Sequence, residues 1–228
     1  MRNTQLHSWD LTPKEAIALQ RELASKVTIA PAGHSVRLIA GSDCAFHKPS
    51  DSVFASAVLW NVRTKSVQAA STVVQPCKFP YIPGLLSFRE APAILAAIQE
   101  LPAAPDLVMC DGHGLAHPRG FGLACHIGVW LEIPAIGVAK SRLCGIHRTP
   151  GEAKGSSTRL YLDDRVVGCV LRTRGGVKPV YVSVGHRARL RDAAHWCLRT
   201  ATRYRIPEPT RQAHLAVSRE KRARQGRQ

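Results

Sequence analysis

A four-residue apolar run, Leu107-Val108-Met109-Cys110, stops abruptly at Asp111-Gly112-His113-Gly114. No other feature constrains the chain as strongly. An apolar segment this short, bounded by turn residues, reads as a strand buried on both faces. Such strands belong to sheets covered by helices, and these sheets bind ligands beyond the carboxyl ends of their strands. Asp111 therefore falls where a ligand is expected, and the glycines after it allow close backbone approach. The plainer alternative is a strand followed by a turn, with the acid serving its own backbone.

The rest of the chain supplies the other elements. Thr12-Pro13-Lys14-Glu15 has the pattern of a capped helix start, with Thr12 as N-cap and Glu15 closing a capping box. Strands are expected over residues 36–43, 52–60 and 66–74, the last two as a hairpin across residues 61–65. A stiff loop follows, in which Pro80 and Pro83 bracket Tyr81 and Ile82. A helix is expected over residues 91–101, with Glu90 at its start, where it could also pair with Ser87 in a capping box. After the Asp111 strand come a helix over 121–131, a strand over 134–139, a hairpin around Asp163-Asp164-Arg165 and a strand over 179–184. A basic helix over 187–205 and a last helix carrying His214 complete the order. Antiparallel connections followed by strand–helix–strand units give an α/β fold with a mixed central sheet flanked by helices. No linker interrupts residues 1–228, so one domain is expected, with a short basic tail from about 219 that frays.

Charge narrows the partner. The formal net charge is +16, which favours an anionic partner, nucleic acid before membrane. The seven cysteines form no C-x-x-C pair, which argues against thiolate zinc and points to a reducing, cytoplasmic setting. The N-terminus carries no apolar leader and no run is long enough to span a bilayer, so no membrane partner is expected.

Three carboxylates stand out against this background. Asp43 ends the first expected strand as Asp111 ends a later one, and Glu90 lies between them in sequence. Mg²⁺ takes one or two protein carboxylates and fills its shell with water and phosphate oxygens. Phosphodiester hydrolysis needs an activated water and charge relief at the leaving oxygen, which metal ions supply. His214 could orient or deprotonate that water, or simply pack. Lys140 could meet the phosphate beside the cut, or be a solvated strand end. Tyr81 could be a wedge between bases, or a core tyrosine beneath its loop. Arg119, Arg142 and the arginines of residues 187–205 are candidate phosphate contacts.

The blocks Ala40-Gly41-Ser42-Asp43, Pro80-Tyr81-Ile82-Pro83-Gly84-Leu85-Leu86-Ser87-Phe88-Arg89-Glu90, Asp111-Gly112-His113-Gly114 with His117-Pro118-Arg119, and Ile136-Gly137-Val138-Ala139-Lys140-Ser141 together resemble the endonuclease V family. Arg211-Gln212-Ala213-His214 supports the likeness. The resemblance implies a ribonuclease H-like fold and cleavage at the second phosphodiester bond 3′ to deoxyinosine, leaving the lesion in place. It implies Mg²⁺, with Mn²⁺ as substitute, on Asp43 and Asp111. Glu90 and His214 would complete the catalytic set, and Tyr81 would be the strand-separating wedge. Gly84, Leu85 and Gly112 would wall a pocket for a flipped hypoxanthine, and Lys140 would contact the phosphate. His113 stands in a slot that varies within the family.

The expected partner is thus DNA containing deoxyinosine, bound by a monomer in DNA repair. Two alternatives stay open: an endoribonuclease acting on inosine-containing RNA, and a nucleic-acid-binding protein without enzymatic activity on the same scaffold. His117 and Arg119 remain divided between phosphate contact and support of their loop.

Overall fold

The structure is a computed structural model that describes residues 6–32 and 35–225. Its frame is one eight-stranded sheet in the order β3-β2-β1-β4-β5-β8-β7-β6. The strands are β1 (Leu38–His47), β2 (Ser52–Asn61), β3 (Ser66–Pro76), β4 (Leu107–Cys110), β5 (Ala135–Ala139), β6 (Ser157–Leu162), β7 (Arg165–Leu171) and β8 (Val180–His186). The helices are α1 (Pro13–Ala24), α2 (Leu86–Gln99), α3 (Leu123–Leu131), α4 (Leu190–Thr200) and α5 (Glu208–Gln225). Strands β1, β4 and β5 run parallel, while β2, β3 and β6–β8 join by antiparallel pairing. The expected mixed α/β sheet is therefore present, and β3-β2-β1-β4-β5 is its ribonuclease H-like half.

The brevity and uniform apolarity of β4 follow from burial on both faces. Leu107 and Met109 join Ile39, Ile136 and Val138 in a core covered by Trp196 and Cys197 of α4. Val108 and Cys110 join Ala40 in the opposite core, covered by Ile94 and Ile98 of α2 and Ile127 of α3. Each β4 side chain has a helix-covered neighbour, so no position in the run can be polar.

Three expectations change. Asp43 does not end its strand: β1 continues to His47, because β2 pairs with it along its whole length while β4 stops opposite Ser42. Glu90 does not start its helix either. α2 begins at Leu86, has no side-chain cap, and takes Pro92 into its interior, so the Ser87–Glu90 box does not form. Pro92 forfeits one bond, the one its N–H would have made to the Phe88 carbonyl. The basic tail from 219 is helical to Gln225, held by the Arg224–Glu220 ion pair and by Lys221 Nζ donating to the Phe46 carbonyl at 2.7 Å. At the N-terminus the Thr12–Glu15 capping box forms as expected. Among the described residues, no helix is long and apolar enough to cross a membrane.

Candidate active site

The acid centre follows from strand register. Ser42 pairs with Cys110, and the Asp111 amide donates to the Ser42 carbonyl at 3.2 Å. The next residues, Asp43 and Asp111, thus come side by side, one inside a strand and one just past the end of its neighbour. Ile39, Gly41 and Asp43 alternate onto one face of β1. That face is crossed by α5 so closely that a Cβ on Gly41 would lie 2.1 Å from the Pro209 carbonyl. The crossing brings His214, one turn further along α5, onto Asp43, with Nδ1 2.7 Å from Oδ2. Lys140, just after β5, donates through Nζ to Asp111 Oδ2.

Three carboxylates share a small space, and the proton affinities of Asp43 and Glu90 show it. Burial, then the Asp111 charge, raises the Asp43 carboxyl above the usual range, while His214 and Lys140 pull it back. Glu90 is 9% exposed; burial and the two aspartates push it up to about 8. Burial opposes the charge on Lys140, but Asp111 outweighs it and the ammonium is held more firmly than usual. The centre carries concentrated negative potential that Lys140 and His214 offset. Among the described residues no three His, Cys, Asp or Glu side chains form a ready-made metal cage. The donor set nonetheless fits a hard cation such as Mg²⁺, which needs one or two carboxylates.

A cavity of about 280 Å³ opens beside this centre, lined among others by Tyr81, Gly84, Gly112, His117, Leu123 and Leu143. Gly112 follows Asp111 directly, so the cavity wall and the acid centre are adjacent residues. Tyr81 is 70% exposed, which removes the core-tyrosine alternative. Leu85 does not face the cavity. It is fully buried with Ala16, Phe79 and Phe88, and Leu86 lines the wall instead. The loop closes as a type II turn: Leu85 N donates to the Ile82 carbonyl at 2.9 Å, with Pro83 and Gly84 at the corner and Gly84 at φ +80°.

His117 and Arg119 turn inward to this turn. His117 Nε2 donates to the Gly84 carbonyl at 3.0 Å, and Arg119 Nη2 donates to the same oxygen at 2.6 Å. The Arg119 amide donates to His117 Nδ1 at 3.1 Å, which fixes the tautomer. Burial and the Arg119 charge bring the His117 imidazole down to about 4, so it is neutral. Both residues support the loop. Of the expected phosphate contacts, Arg142 is exposed on the cavity rim. Arg187 instead pairs with Glu132, and Arg205 donates to the carbonyls of Lys140 and Pro179. Sequence reasoning missed Gln20, Leu86, Ser141 and Leu143, which also line the cavity.

Known proteins share this sequence pattern and this fold. Residues 21–215 match the family described as Endonuclease V. The Endonuclease V of Myxococcus xanthus is 46% identical over 220 residues, covering 96% of this chain and 94% of that one. The crystal structure of Endonuclease V from Streptomyces avermitilis superposes with a TM-score of 0.91 at 43% identity, covering 96% of each chain. The same fold recurs at 24% identity, with a TM-score of 0.79 over 92% of this chain and 98% of that one, in Ciona intestinalis Endonuclease V in complex with a 24mer DNA containing an inosine followed by a ribo-adenosine. Sheet and acid centre together define an α/β endonuclease. More narrowly, the chain belongs to the endonuclease V family.

Proposed function

We propose that this endonuclease repairs DNA by hydrolysing the second phosphodiester bond 3′ to deoxyinosine, with Mg²⁺ (or Mn²⁺) on Asp43 and Asp111. The observation that carries the reading is the Asp111-Gly112 step, where an acid of the centre and a wall of a base-sized cavity are consecutive residues. Tyr81, exposed just before a stiff turn, is suited to part stacked bases. The extruded hypoxanthine would then stand against Gly84 and Gly112, with Leu85 anchoring the turn from beneath.

When bound, the cation would supply an acidified water and charge relief at the leaving oxygen. The side chains do the rest. His214, held through Nδ1 by Asp43, presents its other ring nitrogen to the attacking water. Lys140 meets the phosphate beside the cut. Glu90 completes the acid set from α2. Cavity and acid centre lie in one chain, so a monomer suffices. The seven free cysteines suit a reducing cytoplasm.

A nicking assay with mapped products tests the reading. Inosine-containing duplex DNA, the same duplex with adenine, and inosine-containing single-stranded RNA are compared with and without Mg²⁺. Mg²⁺-dependent nicking of the inosine duplex at the second 3′ bond is expected. Stronger cleavage of the RNA would make the enzyme an endoribonuclease, and no cleavage of any substrate would leave a binding protein.

A further inference from the structure

Gln20 is the one polar residue on the buried stripe of α1, between Ala16 and Leu23, and its exposure is 0%. A leucine would fill such a position without desolvating an amide. The amide is instead fully used. Nε2 donates to the Phe121 carbonyl at 2.6 Å and to the Gly84 carbonyl at 3.1 Å. Oε1 accepts from Arg119 Nε at 2.5 Å. These partners belong to two segments: the turn after Tyr81, which holds Gly84, and the loop from β4 to α3, which holds Arg119 and Phe121. Both segments line the cavity, the first through Gly84 and the second through His117 and Gly122. Gln20 itself lies one residue before the span that matches the family.

We propose that Gln20 is a positioning residue that sets the shape of the base cavity, and hence its choice of base, by fixing the Gly84–Leu85 peptide. The argument rests on the inosine-directed reading above. Gln20, His117 and Arg119 all donate to the Gly84 carbonyl, whose two lone pairs must be shared among them. The other end of the same peptide is tied by Leu85 N to Ile82. Gly84, at φ +80°, has no side chain of its own to hold that conformation. Gln20 also orients Arg119, since it takes the Nε proton and leaves Nη2 aimed at Gly84. Losing the amide would therefore loosen two of the three donors at once. Asp43, Asp111 and His214, placed by β1, the end of β4 and α5, take part in none of these bonds.

The test compares wild type with Gln20→Met, which keeps an unbranched shape, and with Gln20→Glu, which keeps the acceptor for Arg119 but loses the donors. Nicking of inosine and adenine duplexes is measured, with KM and kcat separated and folding followed by circular dichroism. Gln20→Met is expected to lose about tenfold in preference for inosine, the size of one buried hydrogen bond, through a higher KM with kcat at saturation little changed. Gln20→Glu is expected to fall between it and wild type. Unchanged preference in both variants, or a matching fall of kcat on both substrates, overturns the proposal. So does failure of both variants to fold, since the amide would then serve the fold itself. A wild-type enzyme that does not prefer inosine would instead refute the substrate reading, whatever the variants do.

Discussion

His214 Nδ1 lies 2.7 Å from Asp43 Oδ2, joining residues 171 positions apart in the chain. The contact depends on Gly41, whose missing side chain lets α5 cross β1. Gly41→Ala should force the helix outward. About 1–3 kcal/mol of stability should be lost, as in other overpacked sites, and nicking should fall more than the stability does. Urea unfolding and a nicking assay at a temperature where the variant is folded check this. Wild-type activity would show that His214 is dispensable.

Asp43→Ala and Asp111→Ala should each abolish Mg²⁺-dependent nicking. Metal-free binding to inosine DNA should persist, because the cavity wall is intact in both. Gel-shift titration alongside the nicking assay separates the two. Residual nicking close to wild type in both variants would refute the metal assignment.

The Glu90 carboxyl provides a pH signature. Its folded value of about 8 lies above the ordinary 4.5, so its contribution to stability is fully present below about 4.5 and is lost as pH rises through about 8. Metal-free wild type should therefore lose stability relative to Glu90→Gln between these limits. The slope can reach about 1.4 kcal/mol per pH unit. Thermal melts in a chelator from pH 5 to 8 measure the gap, and parallel curves would contradict it.

Tyr81→Ala removes a side chain that is 70% exposed. Stability should stay within about 0.5 kcal/mol of wild type. Binding to the inosine duplex should weaken by about 1–3 kcal/mol, the scale of one base–aromatic contact. The loss should appear in KM. A large drop in melting temperature without a change in KM would return Tyr81 to a structural role.

What could be read in advance was what local pattern encodes. The β4 run, the Thr12 cap and the stiff Pro80–Pro83 loop each carry their instruction within a few residues, and each is present. Asp43 stands out in the sequence, but the end of its apolar run is not the end of its strand; β1 persists through Ala45 and Phe46 on pairing with β2. Pro92 has the local pattern of a helix start beside Glu90, whereas α2 begins four residues before Glu90 and tolerates the proline. Gln20 carries a signal in its spacing: a polar residue four after Ala16 and three before Leu23 sits on the buried stripe of its helix. Only its three distant partners explain it, and distant partners are not encoded locally.

The crossing of β1 by α5 also sets a timetable. Asp43 and Asp111 are synthesised before His214, so the contact that joins His214 to Asp43 can form only once α5 has been made. An enzyme that breaks phosphodiester bonds thereby gains the histidine of its centre later than both of its aspartates.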